Sequence, residues 1–361
     1  YLISKPKFRW QPSIDFSTSD IQEFGVSGRM AFTWRNVFKR AEILEIATRG
    51  NIGSSKDLAN PNNVFFNISE YGLEAKLSFP RIFFPLNTRN IIRKEMLPVT
   101  NINFGHTSQR NIGLDKENLT GVINYSWVPK DKINFRFDLL NIQFVRNLNI
   151  DNYFNVYNTS YNRLNDLAQI YNTNINYLDV NGNLTYPGAV AFIEDVIDGN
   201  TSLNSSDNDY KSISSIGERR KRLIENNLIV SSSITYSKNT KSSFLDNNFY
   251  SIRTKIESAG NILSLLAKSK KEPLSDNGNQ TLFGIEYSQY IKTEIDFVKH
   301  WDFGKKNTLA MRTFAGIAIP YGNAKSIPFS RSYFSGGSND NRGWQAYSLG
   351  PGRSGGVNDF N

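Results

Sequence analysis

The sequence predicts an all-β protein: a transmembrane antiparallel β-barrel with about eleven strands and one long polar extracellular insertion. Three observations predict it. Apolar and polar residues alternate over segments of about ten residues through most of the 361-residue chain, and on a strand such alternation makes one apolar and one polar face. The segments approach the ~9–11 residues that a tilted transmembrane strand needs, whereas strands in globular proteins average about 5–6. The polar faces carry rows of both signs (Arg253, Lys255, Glu257; Lys292, Glu294, Asp296), and aromatics gather at segment ends (Trp34, Phe83, Phe84, Trp127, Trp301), where an interfacial girdle places them. A soluble antiparallel sandwich, with its polar face in water, would account for the alternation alone.

The first strand, 7–19, sets Phe8, Trp10, Pro12, Ile14 and Phe16 against Arg9, Gln11, Ser13, Asp15 and Ser17. The second, 22–36, sets Phe24, Val26, Gly28, Met30, Phe32 and Trp34 against Ser27, Arg29, Thr33 and Arg35. A third spans 41–55. The fourth, 64–80, opposes Tyr71, Leu73, Ala75, Leu77 and Phe79 to Glu74, Lys76 and Ser78. Strands follow at 96–110, 118–129 and 132–147, the last alternating Ile133, Phe135, Phe137 and Leu139 with Asn134, Arg136 and Asp138. Over 148–224 the alternation fails. That stretch is rich in Asn, Asp, Ser and Tyr, with helix-like patches at 163–171 and 189–197. It reads as an extracellular loop insertion, because such barrels have long outer loops and short periplasmic turns. It is either a cap that docks a partner or a variable decoration. Strands resume at 226–238, 248–259, 285–302 and 307–320. An odd number, and the polar stretch 357–361, predict further strands after Asn361, since an open edge in a bilayer leaves backbone groups unsatisfied.

Composition removes several function classes. No run approaches the ~18 apolar residues of a spanning helix, and 5 Trp, 17 Tyr and 25 Phe are far too many for a disordered chain. With no cysteine and two histidines, His106 and His300, thiolate metal sites and Cys–His catalysis are excluded, and little remains for a Ser–His–Asp site or a zinc site. No metal or cofactor is expected. The net charge of +9 is dispersed, with one short dense run, Glu218-Arg219-Arg220-Lys221-Arg222, so nucleic acid is not the expected partner. A basic lumen and basic loops facing anionic headgroups or lipopolysaccharide explain the charge.

Residues 321–361 hold the most distinctive text. Gly336, Gly337 and Gly343 permit positive φ and close backbone approach in a compact loop that could fold into the lumen. Arg342 is its strong cation, a rigid donor fork suited to a carboxylate on the inner wall. Phosphate binding is not expected, because no P-loop Lys-Ser/Thr follows the glycines.

This segment resembles the signature of the BamA/TamA superfamily of outer-membrane assembly barrels, whose sixth outer loop carries a Gly-Gly pair, then Val/Ile-Arg-Gly-Phe/Tyr and often Ser-Leu-Gly-Pro. Gly336-Gly337, Arg342-Gly343-Trp344 and Ser348-Leu349-Gly350-Pro351 fill those places. Asn341 and Trp344 depart from the family's Val/Ile and Phe/Tyr. Trp34-Arg35-Asn36-Val37-Phe38-Lys39-Arg40-Ala41-Glu42, Ser78-Phe79-Pro80-Arg81 and Ala259-Gly260-Asn261 look most like the TamL-type members of Bacteroidetes-like bacteria. The resemblance implies a bacterial outer-membrane barrel of sixteen strands, with this loop after the eleventh. It also implies POTRA domains upstream and, after Asn361, the strands that hold the wall partners of Arg342.

The resemblance further implies assembly, insertion or translocation of outer-membrane proteins through a gate between first and last strands, without nucleotide or covalent chemistry. Substrate strands would add to the edge of the first strand. The candidate gate strand is Phe8, Trp10, Pro12, Ile14 and Phe16; Pro12 marks a weak seam, or merely a bulge or an early strand, since proline is tolerated mainly on edges. The expected partners are outer-membrane lipid and lipopolysaccharide, unfolded outer-membrane or surface proteins as clients, and a periplasmic bridging protein or accessory lipoproteins. A passive channel or structural barrel is the alternative. A barrel hydrolase would have to draw its base from His106 or His300.

Overall fold

The alternation resolves into one antiparallel sheet of eleven strands, whose register shifts only where β7 pairs with β6 and β8. The computed structural model describes residues 5–18, 24–54, 66–110, 115–171, 173–270, 273–275, 278–282 and 284–333. Within them lie strands β1 (Phe8–Ser17), β2 (Phe24–Arg35), β3 (Ile43–Ser54), β4 (Ile68–Phe79), β5 (Val99–Arg110), β6 (Lys116–Lys130), β7 (Ile133–Asn147), β8 (Asn227–Asn239) and β9 (Tyr250–Ala259). After the short strands β10 (Thr281–Leu282) and β11 (Ile285–Glu286) come β12 (Tyr290–Asp302) and β13 (Thr308–Pro320). The long strands form one sheet in the order β1 to β9, β12, β13, and β10 pairs only with β11. Every neighbouring pair is antiparallel. The expected strand at 285–302 is therefore interrupted: β11 ends at Glu286 and the sheet strand begins at Tyr290.

Register keeps each face chemically uniform. Across β1 to β6 the row Trp10, Phe32, Ile46, Ala75, Phe104 and Gly121 is continuous. Across β8 to β13 the row is Ile234, Ile256, Thr293 and Ile317. Tyr71, Leu73, Phe104, Ile256, Ile291 and Ile317 on this face are all exposed. The sequence pattern needs one correction, at Leu139. Ile123 pairs with Leu140 and Asn124 with Asp138, so Leu139 is the extra residue of a β-bulge. Beyond it the apolar phase moves to Leu140, Ile142 and Phe144.

The connections divide between two rims. At one rim lie the turns 36–42, 80–98, 131–132, 240–249 and 303–307, and aromatics crowd there. Trp127 stacks on Phe135 at 5.5 Å, Phe135 meets Tyr236 edge-on at 5.3 Å, and Trp10 lies 4.6 Å from Phe32. The other rim carries the longest connection, residues 148–226, and the segment between β9 and β12.

Those residues are not an unstructured loop. They form helices α1 (Tyr153–Val156), α2 (Asn158–Ile170), α3 (Tyr186–Ile197) and α4 (Asn208–Ile224) around their own core. Thr185 caps α3 by accepting from the Gly188 amide at 2.9 Å, and Pro187 sits in the first turn. Leu164, Leu167, Phe192, Val196, Ile213 and Ile216 are essentially inaccessible, each contributing roughly 1.5–3 kcal/mol through burial. The crossing of α3 and α4 needs a glycine, because a Cβ at Gly217 would stand 2.6 Å from Ile193 Cγ2. At the base of the cap, Asn147 ties its two ends together: its amide donates to Asn226 Oδ1 at 2.8 Å and its side chain to the Glu225 carbonyl at 2.9 Å.

A further helix, α5 (Asn261–Lys270), follows β9. Leu263, Ala267, Leu282 and Tyr287 pack on Val230, Leu228, Leu140 and Ile142, so α5 and the β10–β11 hairpin cover the apolar face of β7 and β8 near the cap rim.

At the opposite rim, two of the sequence stretches singled out above meet. Arg81 reaches from the Ser78-Phe79-Pro80-Arg81 stretch to Glu42 Oε1 at 2.6 Å and to the Arg40 carbonyl at 3.2 Å, and Glu42 is fully buried. Asn36, Lys39 and Ala41 adopt positive φ to make this turn. Burial pushes the Glu42 carboxyl up, but the Arg81 guanidinium and the backbone amides of Glu42 and Arg40 more than offset it, leaving the pKa lowered. A depressed folded value means stability that is complete above the unfolded carboxylate value, near ~4.3, and lost as pH falls through the folded one. Acidification below about pH 4 is therefore expected to lower the thermal midpoint of the wild type more than that of Glu42→Gln, measured by heat-modifiability on gels. Equal shifts in both would contradict the assignment.

Candidate functional site: the first strand and the polar face

Among the described residues β1 pairs with β2 alone, and all ten of its residues are exposed. Its hydrogen-bond phase follows from one contact. The Arg35 amide donates to the Lys7 carbonyl at 2.8 Å, which makes Lys7 and Arg35 a hydrogen-bonded pair. In an antiparallel ladder such pairs alternate with non-bonded ones. Arg9, Gln11, Ser13, Asp15 and Ser17 therefore bond to β2. Phe8, Trp10, Pro12, Ile14 and Phe16 turn their backbone groups away from β2. Pro12, opposite Met30, removes no bond from the β1–β2 ladder. It removes one donor from the side facing away from β2 and introduces no register shift against β2. Its ring contacts lie toward one end, where Phe8 lies 5.9 Å from Phe32 and 5.8 Å from Trp34 and Trp10 packs on Phe32.

The polar face is laced by cross-strand ion pairs. Arg29 meets Glu45 at 3.3 Å and Arg49 meets Glu70 at 3.1 Å and Glu74 at 3.5 Å, while within β7 Arg136 meets Asp138 two residues on at 2.8 Å. Arg312 grips both oxygens of Asp296, at 3.0 and 2.8 Å. All of these residues share the polar parity of their strands.

One cluster on this face is buried. Glu257 is 1% exposed. Its carboxylate accepts from the Tyr290 hydroxyl at 2.7 Å and pairs with Lys255, and Arg331 Nη1 lies 3.9 Å away. Arg331 belongs to the chain beyond β13, so this segment turns inward over the polar faces of β9, β12 and β13. Lys292 Nζ donates to the Arg331 carbonyl at 2.9 Å and sits 4.1 Å from the Tyr333 ring. Tyr333 in turn meets Phe314 edge-on at 5.7 Å and lies against Gly316, where a Cβ would come within 2.6 Å of its ring. At the rim, Asn323 donates to the Gln280 and Tyr287 carbonyls at 2.8 and 3.1 Å, tying the exit of β13 to the β10–β11 hairpin.

The loop residues singled out in the sequence, Gly336, Gly337, Arg342, Gly343 and Trp344, lie outside the described residues. Arg331, Tyr333, Glu257 and Tyr290 were not singled out as a site. Glu257 was visible only as one member of an alternating row. The two imidazoles do not meet. His106 sits opposite Leu73 and Leu119 on the apolar parity of β5, and His300 stacks on Phe249 at 4.3 Å on the polar parity of β12.

An apolar face left largely exposed across many long strands, backed by a face of paired charges, is the wall of a transmembrane β-barrel. No described helix is long and apolar enough to cross a membrane; the strands do so. The chain belongs to the Omp85 superfamily, whose domain is matched over residues 134–359, and it is a protein of the bacterial outer membrane. Among solved structures it is similar to BamA from Haemophilus ducreyi lacking POTRA domains 1–3, at 9% identity and a TM-score of 0.47. That match covers 96% of this chain and 47% of the other, so the chain spans about half the length of that structure. No curated protein matches the sequence.

Proposed function

We propose that this chain is the barrel wall of an outer-membrane protein assembly or insertion factor, and that β1 is the strand on which clients are templated. The observation that carries the reading is the hydrogen-bond phase of β1: Phe8, Trp10, Pro12, Ile14 and Phe16 turn their backbone groups away from β2, and a bilayer strongly favours pairing such groups with another strand. Pro12 leaves that side one donor short, which weakens whatever strand closes there and eases its exchange for an incoming one. Superfamily membership supports an assembly role. The TamL-type subfamily, with surface proteins among its clients and a periplasmic bridging partner or accessory lipoproteins, belongs to the same proposal and rests on the sequence resemblance. In this reading the cap rim faces the cell exterior, and the segment that anchors on Glu257 is the start of the sixth outer loop. No nucleotide and no covalent step is involved.

A photo-reactive residue placed at Ile14 in the full-length protein tests this in growing cells. The expected result is adducts with newly made outer-membrane proteins, at least several-fold above those from Thr48, which faces the bilayer from inside the sheet on β3. Equal client adducts at both positions would remove β1 as the template. Steady small-solute conductance in planar bilayers, with no client adducts at Ile14, would favour a passive channel.

A further inference from the structure

We propose that residues 81–97, between β4 and β5, form an interfacial belt that binds anionic phospholipid in the periplasmic leaflet. The segment does not hang below the sheet; it is fastened to the lipid-facing side of the wall. Thr100 shares the apolar parity of β5, paired with Phe79 and Tyr125, yet it is completely buried. Its hydroxyl donates to the Arg81 carbonyl at 2.8 Å and accepts from the Phe83 amide at 2.9 Å. The Tyr125 hydroxyl donates to the Phe83 carbonyl at 3.2 Å, Phe83 stacks on Phe79 at 4.9 Å, and Phe84 meets Tyr125 edge-on at 5.8 Å.

Beyond these rivets the belt presents two chemistries to its surroundings. Leu86, Ile91 and Leu97 are 71%, 77% and 72% exposed. Arg89, Arg93 and Lys94 are exposed as well and join no ion pair among the described residues. Glu95 is the only acid between residues 81 and 97. Apolar side chains beside cations suit the boundary between acyl chains and anionic headgroups. The rest of this rim repeats the arrangement, with Lys299 5.8 Å from Trp301, Lys238 5.1 Å from Tyr250 and Lys241 4.9 Å from Phe249, as cations and rings at headgroup level do. The belt continues the lipid-facing wall, so a lipid covers it without displacing anything. A protein partner would have to reach it through the bilayer.

The test uses the full-length protein with a photo-reactive residue at Ile91, reconstituted in nanodiscs of equal phosphatidylglycerol and phosphatidylcholine, and in parallel in native outer membranes. Phosphatidylglycerol adducts are expected to exceed phosphatidylcholine adducts several-fold. In the Arg89→Ser, Arg93→Ser, Lys94→Ser variant the excess should disappear, since a juxtamembrane cation contributes about fivefold to anionic-lipid binding. A probe at Leu73, on the bilayer-facing row of β4, should label both lipids equally. Absence of lipid adducts there would instead indict the barrel reading itself. Equal labelling by both lipids at Ile91, an excess that survives the triple substitution, or adducts with a protein in native membranes would overturn the belt. Should the variant fail to fold, the wild-type lipid ratio and the native-membrane adducts still decide.

Discussion

Phe192→Ala is expected to unfold the helical cap while the sheet stays intact. Phe192 is inaccessible at the centre of the α2–α3–α4 core, and truncating a buried phenylalanine costs about 3–5 kcal/mol. That is comparable with the whole stability of a small folded unit. The cap has its own core, separate from the clusters packed on the sheet, so the loss stays local. Limited proteolysis of the reconstituted protein should cleave within 148–226 at least tenfold faster than in the wild type, with heat-modifiability unchanged. Ile175→Ala, at an 80% exposed position, serves as the control and should alter neither. Protease resistance that survives Phe192→Ala, or a sheet lost together with the cap, would contradict the autonomy of this unit.

The second large effect is expected at Glu257. Replacing it with Ala leaves the half-buried Lys255 and Arg331 without their carboxylate and the buried Tyr290 hydroxyl without its acceptor. Removing one partner of a buried ionic cluster costs about 3 kcal/mol or more. The segment from Ile327 to Tyr333 should detach from the polar face, read as faster hydrogen exchange there and loss of client insertion. Glu257→Gln still accepts from Tyr290 and should give an intermediate effect. Glu45→Ala breaks an exposed pair with Arg29, side chains 48% and 40% accessible, and should change little. If exchange at 327–333 is the same in Glu257→Ala and wild type, the cluster does not anchor the loop.

The sheet was legible because its signal is local and periodic. Each strand needs only its own alternation, and pairing consecutive segments by short turns yields the observed order without further information. What escaped depends on partners distant in sequence. The helix α4 hides its core residues Ile213, Ile216 and Leu223 among Ser, Asn and Arg, so its apolar stripe is thin until α2 and α3 lie beside it. The helix α5 is short and apolar, and nothing within it distinguishes a wall-covering helix from a strand. The bulge at Leu139 shifts phase by one residue, a change that alternation on either side of it does not locate. Glu257 looks like any lumenal acid, and its burial is set by Arg331 and Tyr290, distant in sequence. The Glu42–Arg81 contact likewise joins two stretches that sequence reading could only quote side by side.

The tie at Asn147 has a kinetic consequence. Between β6 and β7 the sheet turns in two residues, but β7 and β8 are separated by residues 148–226, and closing so much longer a loop costs about 3 kcal/mol more in chain entropy. Packing the cap first would bring Asn147 and Asn226 together before β8 has paired. Strand pairing would then proceed as if across a tight hairpin. The helical module thus acts as a built-in chain shortener for the barrel's own folding, and a version with an unfolded cap should insert β8 and everything after it more slowly, even where the finished sheet is equally stable.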